Sequence, residues 1–350
     1  MTAHRFDIGT AIFYFFKRFG ENPGGAIWIA VCQTAIVLAL GAGALAIMAP
    51  AWDNLVQLIL LDEAGQLTDE EAVTRVFGVM GPTLIVMLLA SPLGIIAALM
   101  FQGAWLRFLT KGEVKPGIPF RLGGDEIRLL GVNLLYIVLA VVAYAVLGGI
   151  LLASGVGTVL IVDGAGGGVA AGLGMGLVMA LVAMALFVIV LVVAVRLASA
   201  PAMTVQQGRF RFFESWQASR GVFWHLLVSY IAVGALIMVL SWILGVVVQL
   251  LAIGALLPLI LAFVRMDGAG IDPDPQLVFD TIEAGLANPV AIGGFILTFV
   301  VAYMLQIMLA GMWHSIGAYN AVRHDGKEGA DLDAPVLGAD HPMGASPGEG

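Results

Sequence analysis

Six long apolar runs constrain this chain more than any other feature. They cover Ala26–Ala49, Phe77–Leu109, Leu129–Ala153, Val169–Ala200, Val222–Val264 and Pro289–Ala321. A bilayer core about 30 Å thick takes about 20 apolar residues of helix, and every run reaches that length. Each is apolar around its circumference rather than along one stripe, as a helix surrounded by lipid must be. Only 11% of the 350 residues are charged and 60% are hydrophobic, whereas a soluble domain carries about 25% charged residues. A single water-soluble core of this size cannot hide that much apolar surface. An ordinary soluble protein, a disordered chain and a disulfide scaffold are therefore excluded; Cys32 stands alone and cannot form an internal bridge. The sequence predicts an all-α polytopic membrane protein with six transmembrane helices.

The fifth run is long for one span. Its residues, about 43 at about 1.5 Å each, would make a rod of about 65 Å, and Gly254 and Pro258 punctuate its far half. Charge decides how it is used. With the N-terminus inside, 14 of the 16 Lys and Arg residues fall on the cytoplasmic side, leaving Arg75 and Arg265 outside, a strong positive-inside asymmetry. A hairpin in the fifth run would reverse the acidic 265–288 loop and the Arg323 end, which fits worse. The expectation is six spans with both termini cytoplasmic, the stretch 251–264 being a helix extension or a re-entrant or interfacial piece. The first run is too long and too far from the start for a cleaved signal sequence. Residues 1–322 form one six-span domain, and 323–350, rich in Gly, Pro and Asp, form a disordered acidic cytoplasmic tail.

Short aromatic and basic segments precede the odd spans: Phe6–Phe19, Pro119–Leu130 and Phe210–Gly221. Their composition suits interfacial amphipathic helices, so the chain divides into three units of interfacial helix plus hairpin. Gly103-Ala-Trp105 and Gly311-Met-Trp313 end the second and sixth spans alike. Gly164, Gly168, Gly172 and Gly176 recur every four residues at the start of the fourth span; without side chains there, two backbones can approach closely. This ridge is expected to be a packing face, within the bundle or between protomers.

Arg196-Leu-Ala-Ser-Ala-Pro201, Gly208-Arg209, Glu214-Ser-Trp216 and Ser219-Arg220-Gly221-Val-Phe223-Trp224 form a connected pattern. It resembles the membrane-domain family found beside glycerophosphodiester phosphodiesterases and the related YciC-like bacterial inner-membrane proteins. The segment from Trp105-Leu-Arg107 to Gly112-Glu113 is similar to proteobacterial members of that group. The resemblance implies a six-helix module of the bacterial inner membrane. It does not carry hydrolysis over, because this chain has no room for a phosphodiesterase barrel.

Little chemistry is written in the spans. No Lys, Arg, Asp or Glu sits at mid-membrane, where ionisable groups mark ion and proton pathways. The interior polar residues are Gln33, Asn133, Tyr144, Gln249, Tyr303 and Gln306, read either as interhelical hydrogen bonds or as a transport pathway. His225 and His314 have no Cys and no His-x-x-x-His spacing to complete a metal set, and no Walker or Ser-His-Asp pattern is present. The expectation is no enzyme activity, no metal, no cofactor and no nucleic acid. One cluster stands out at the cytoplasmic boundary: Arg107, Arg196, Arg220, His225 and His314, with Glu113 and Glu214 as the nearby acids. Basic pockets between helix ends bind lipid phosphates; the same residues also serve as anchors. The leading function is a non-enzymatic membrane protein acting through lipid or protein contacts, its partners being membrane lipids, a membrane protein or a second copy of the chain. The alternatives are a transporter or channel for a small or lipidic solute, and a headgroup-acting membrane enzyme. Reporter fusions placed after Arg323 and within Asp267–Glu283 should read cytoplasm and exterior respectively; a cytoplasmic signal from the second would end the six-span topology.

Overall fold

A computed structural model of the chain describes residues 6–63, 68–159, 168–268 and 275–325. In chain order its helices are α1 (Ile8–Glu21), α2 (Pro23–Glu63), α3 (Asp69–Lys111), α4 (Gly124–Val159), α5 (Gly168–Leu197), α6 (Ala200–Gln207), α7 (Glu214–Ala218), α8 (Phe223–Gly268), α9 (Pro275–Leu286) and α10 (Pro289–His324). Six of these, α2, α3, α4, α5, α8 and α10, are long and apolar enough to cross a membrane, and no strand occurs among the described residues. The protein is an all-α polytopic membrane protein. Of the expected tail, 323–325 close α10 and the remainder lies outside the described residues, as does the Gly-rich loop around Asp163.

The helix boundaries follow local chemistry. Asp7 caps α1, its carboxylate accepting from the backbone of Gly9 and Thr10 at 3.1 and 3.2 Å, the two orphan donors a cap is needed for. The Thr10 hydroxyl and backbone hydrogen bonds hold the Asp7 carboxyl below its usual range. Asn22 then turns the chain, its Oδ1 accepting from Gly25 N at 2.9 Å, and Pro23 opens α2 where a missing N–H costs nothing. At α3, Thr68 and Glu71 form a reciprocal capping box, and Gly112 closes the helix in the left-handed region at φ 69°.

The long fifth run resolves as one unbroken helix: α8 runs 46 residues from Phe223 to Gly268, so 251–264 is a helix extension and not a re-entrant piece. The segments before the odd spans differ from one another. The first is the 14-residue α1. The third contains only the five-residue α7. The second, 119–123, is irregular chain that leads straight into α4.

Packing concentrates at one end of the bundle, where α1, α6 and α7 meet the C-terminal ends of α3, α5 and α10 and the N-terminal ends of α4 and α8. We call this the basic end. Tyr14, Leu106, Phe108, Leu109, Met203, Leu226, Met312 and Ile316 form its core, each almost wholly buried. By contrast, only 6–17% of the residues in the apolar windows of the spans are buried, so most span side chains face outward from the bundle.

α10 is the central post of the basic end, contacting α1, α3, α6 and α8. Glycine makes these approaches possible. A Cβ on Gly317 would lie 2.8 Å from the Ala198 carbonyl oxygen, and one on Gly311 would overlap the Phe15 ring. Asn320, fully buried, donates to Ser199 Oγ at 3.0 Å across the same seam. α6, buried along Ala200–Gln206, plugs the space between α3, α4 and α10. The glycine ridge of the fourth span behaves differently at Gly176, the ridge position whose surroundings are described: a Cβ there meets no atom within 4 Å.

Gly317→Ala should therefore cost about 1–3 kcal/mol through overpacking against backbone, while Gly176→Ala should be neutral or slightly stabilising because Ala is the better helix former. Thermal melts of the detergent-extracted variants measure both; equal tolerance would mean that the α10 seam is not the closing contact.

Candidate functional site

At the basic end, a cavity of about 450 Å³ lies between the start of α2, the last turns of α3 and the chain that links α3 to α4. Asn22, Ile29, Ala104, Arg107, Glu113, Lys115 and Arg121 are among its lining residues. The linking chain is fixed in place. Gly112 and Gly117 supply the positive φ its turns need. The Trp28 indole N–H donates to the Gly117 carbonyl at 2.6 Å, and Phe120 packs edge-on against Phe101 with ring centroids 4.9 Å apart. Val114 sits so close to the start of α2 that a Cβ on Gly25 would lie 2.7 Å from its Cγ2.

Arg107 is the innermost charge of this site and is 4% exposed. Its Nη1 donates to Glu126 Oε1 at 2.5 Å, with Asp125 Oδ2 4.0 Å away. Glu126 is 1% exposed. Its other oxygen accepts from Gly123 N at 2.9 Å, so one carboxylate both caps α4 and neutralises the guanidinium. An acid in the first turn of a helix also meets the positive end of the helix dipole. Asp125 in turn pairs with Arg128 at 3.0 Å and Arg121 at 3.6 Å. Gly103, one turn before Arg107, makes room: a Cβ there would come within 2.7 Å of Glu126 Oε1. The Arg107 Nη2 atom, buried, has no hydrogen-bond partner. That atom is sealed from solvent, so the charge the cavity presents comes chiefly from Lys115 and Arg121 at its rim.

The other residues expected at this boundary lie in separate surroundings. The Arg196 guanidinium is clamped between the rings of Trp216 and Phe223, at 5.2 and 5.3 Å from their centroids, a cation–π arrangement; its backbone carbonyl accepts from Ser215 Oγ at 3.0 Å. Arg220 is exposed. The His225 ring lies 6.0 Å from Phe6, and His314 is half-buried on α10. Among the described residues no hydrogen bond, ion pair or ring contact joins any two of the five. Glu214 pairs with Arg211 at 3.0 Å rather than with Arg196. The sequence reading missed Glu126 and Asp125 as the acids of the site. The signal available was Gly123-Gly-Asp-Glu126 just before a span, the signature of a helix start with acids in its first turn.

The interior polar residues are mostly spent on holding helices together or turned outward. Trp105 Nε1 donates to Gln33 Oε1 at 2.8 Å, and Gln33 Nε2 to the Tyr303 hydroxyl at 2.9 Å, tying α3, α2 and α10. Asn133 donates to Gln102 at 2.7 Å. Tyr144, Gln249 and Gln306 are exposed on the bundle surface.

Comparisons of the chain with protein-family models, with curated proteins and with solved structures find no match.

Removing one member of the buried pair leaves an uncompensated charge, so Glu126→Ala should destabilise the protein by about 3 kcal/mol or more, while replacing both partners by apolar residues should recover most of the loss. Melting temperatures of Glu126→Ala, Arg107→Met and the Arg107→Met/Glu126→Leu double variant decide it. A double variant as unstable as the worse single one would show that the pair is not what stabilises this corner.

Proposed function

We propose that the chain is a non-enzymatic protein of the bacterial inner membrane that works through lipid contacts, holding the anionic phosphate of a lipid headgroup in the cavity beside Arg107, on the cytoplasmic face. The meeting of Arg107, Lys115 and Arg121 on one cavity, against the single lining carboxylate of Glu113, carries this reading. Lys115 and Arg121 line the same cavity and add charge nearer water. The position supports a lipid: α3 enters this region as a membrane-spanning helix, and exposed Phe13 and Phe16 of α1 suit the interfacial depth at which phosphates lie. Arg196, in its aromatic clamp, serves as an anchor of α5 against α7 and α8. The resemblance of 196–224 to YciC-like inner-membrane modules fits the same picture of a membrane module without hydrolysis.

The transport reading is less well supported, because Gln249 and Gln306 are exposed and Gln33 is bonded at both ends of its amide. No three His, Cys, Asp or Glu side chains converge as metal ligands among the described residues.

Lys115→Ser/Arg121→Gln should lower phospholipid retention several-fold with little change in melting temperature, since both side chains are at the rim and neither is buried. Native mass spectrometry of gently extracted wild type and variant reads the retained lipid. Equal retention in the two would refute the headgroup site.

A further inference from the structure

We infer that the groove between α4 and α5 is a second lipid site, separate from the cavity beside Arg107, which seats one acyl chain of an anionic phospholipid from the leaflet at the basic end and meets its phosphate with Arg209.

The first observation is the shape of the groove. Its volume is about 360 Å³, and it is lined by α4 from Tyr136 to Leu147 and by α5 from Leu186 to Leu197. On each helix the lining positions fall mostly three or four residues apart, so each helix turns one face to it. Small side chains keep it open: Ala140, Ala143 and Ala194 lie among larger Leu, Ile and Val. It shares no lining residue with the cavity beside Arg107.

The second observation is depth. From Tyr136 to Leu147, and from Leu186 to Leu197, a helix rises about 16 Å, close to half of a bilayer core about 30 Å thick. The groove begins at the basic end of both spans, where the Tyr136 hydroxyl donates to the Leu197 carbonyl at 2.6 Å. The Tyr136 ring there lies 5.4 Å from that of Phe212, and aromatic rings gather at the interface. An apolar depression that starts at the interface and stops near the midplane matches one lipid tail of one leaflet. A transmembrane helix of a partner would need the seam to continue through the other half.

The third observation is charge. Above the groove, Phe210 packs on α4 so closely that a Cβ on Gly131 would lie 3.2 Å from its ring. Gly131 is about one and a half turns before Tyr136, so Phe210 holds its neighbour Arg209 on the headgroup side of the groove. Arg209 follows Gly208, the left-handed cap of α6. It is exposed and makes no ion pair among the described residues. The neighbouring cations are committed, Arg211 to Glu214 and Arg128 to Asp125. A guanidinium without a carboxylate at headgroup depth suits a phosphate and favours a lipid of net negative charge.

The experiment reconstitutes the full-length protein in phosphatidylcholine vesicles that carry a small share of either phosphatidylglycerol or phosphatidylcholine with a photoreactive group at mid-chain, and maps the labelled peptides by mass spectrometry. The phosphatidylglycerol probe should label 139–147 and 186–194 several-fold more than the phosphatidylcholine probe does. Stretch 231–242 of α8, where Ile231, Met238 and Trp242 are more exposed at a similar distance from the basic end, should show no such preference. Ala143→Leu/Ala194→Leu should fill the groove and lower its labelling several-fold, with melting temperature and the α8 signal unchanged. Arg209→Gln should erase only the preference for phosphatidylglycerol. Lys115→Ser/Arg121→Gln should alter neither; a loss of groove labelling there would show one site rather than two and overturn this one. Groove labelling that Ala143→Leu/Ala194→Leu does not lower would be that of ordinary surrounding lipid and would overturn the site. A preference that persists in Arg209→Gln would overturn the phosphate assignment. An Ala143→Cys variant, with Cys32→Ser, that forms a disulfide-linked dimer in the vesicles would give the groove to a second copy of the chain instead.

Discussion

Lipid gives two apolar helices no reason to prefer each other, because an acyl chain is as good a neighbour as a leucine. Whatever holds this bundle must therefore be something lipid cannot supply: close backbone approach, hydrogen bonds between helices, and paired charge. All three are gathered at the basic end. Gly311 and Gly317 let α1 and the α5–α6 corner close on α10. Asn320, Tyr14 and Gln33 bridge helices through side-chain hydrogen bonds. Arg107 and Glu126 join α3 to α4. Away from that end the helices are apolar posts whose surroundings are the membrane itself.

The candidate site grows out of the same necessity. A helix that ends at the interface must settle its last turn, and α3 does so with Gly112 as cap and Arg107 turned toward the start of α4. Glu126 would satisfy a helix start wherever it occurred; here it also neutralises the guanidinium. The pair therefore commits one side chain to two tasks, tying α3 to α4 and walling the cavity, so that the stability of the corner and the shape of the cavity depend on Arg107.

What the sequence made legible is what depends on short range. Apolar run length places all six spans, because a bilayer sets that length irrespective of neighbours. The Asp7 and Thr68 caps also rest on residue type, although they went unremarked in the sequence reading. What it concealed depends on who meets whom. Gln33 and Trp105 are 72 residues apart, and Arg107 and Glu126 are 19 apart; no local pattern announces either contact. The most regular glycine signal, Gly164 to Gly176, led toward a packing face, yet Gly176 meets open space while the unremarked Gly317 lies against backbone. Periodicity shows that a helix has a small-residue face and not that anything fills it. α6 went unseen for a related reason: a buried eight-residue plug has neither the length of a span nor the stripe of a surface helix. The expected interfacial helix at Pro119–Leu130 fails because Pro119 and Gly123 break its first half, and α4 starts only at Gly124.

The central place of α10 has a consequence for biogenesis. Helices leave the ribosome in order, and the post on which α1, α3, α6 and α8 all lean is the last of the ten described helices to emerge. Asp7 N meets the Tyr319 hydroxyl across 312 residues of sequence, about as non-local a contact as this chain can make. Contacts of that separation form late, since the loop they close must be ordered first. Through most of synthesis the Phe6 and Tyr14 rings must wait without Tyr319, the α10 ring that each packs against, sheltered by lipid and by whatever attends nascent membrane helices. The core of the basic end therefore closes late, when α10 docks, whereas the cavity, lined only by the start of α2, the end of α3 and the chain between α3 and α4, can take shape while the later spans are still being made.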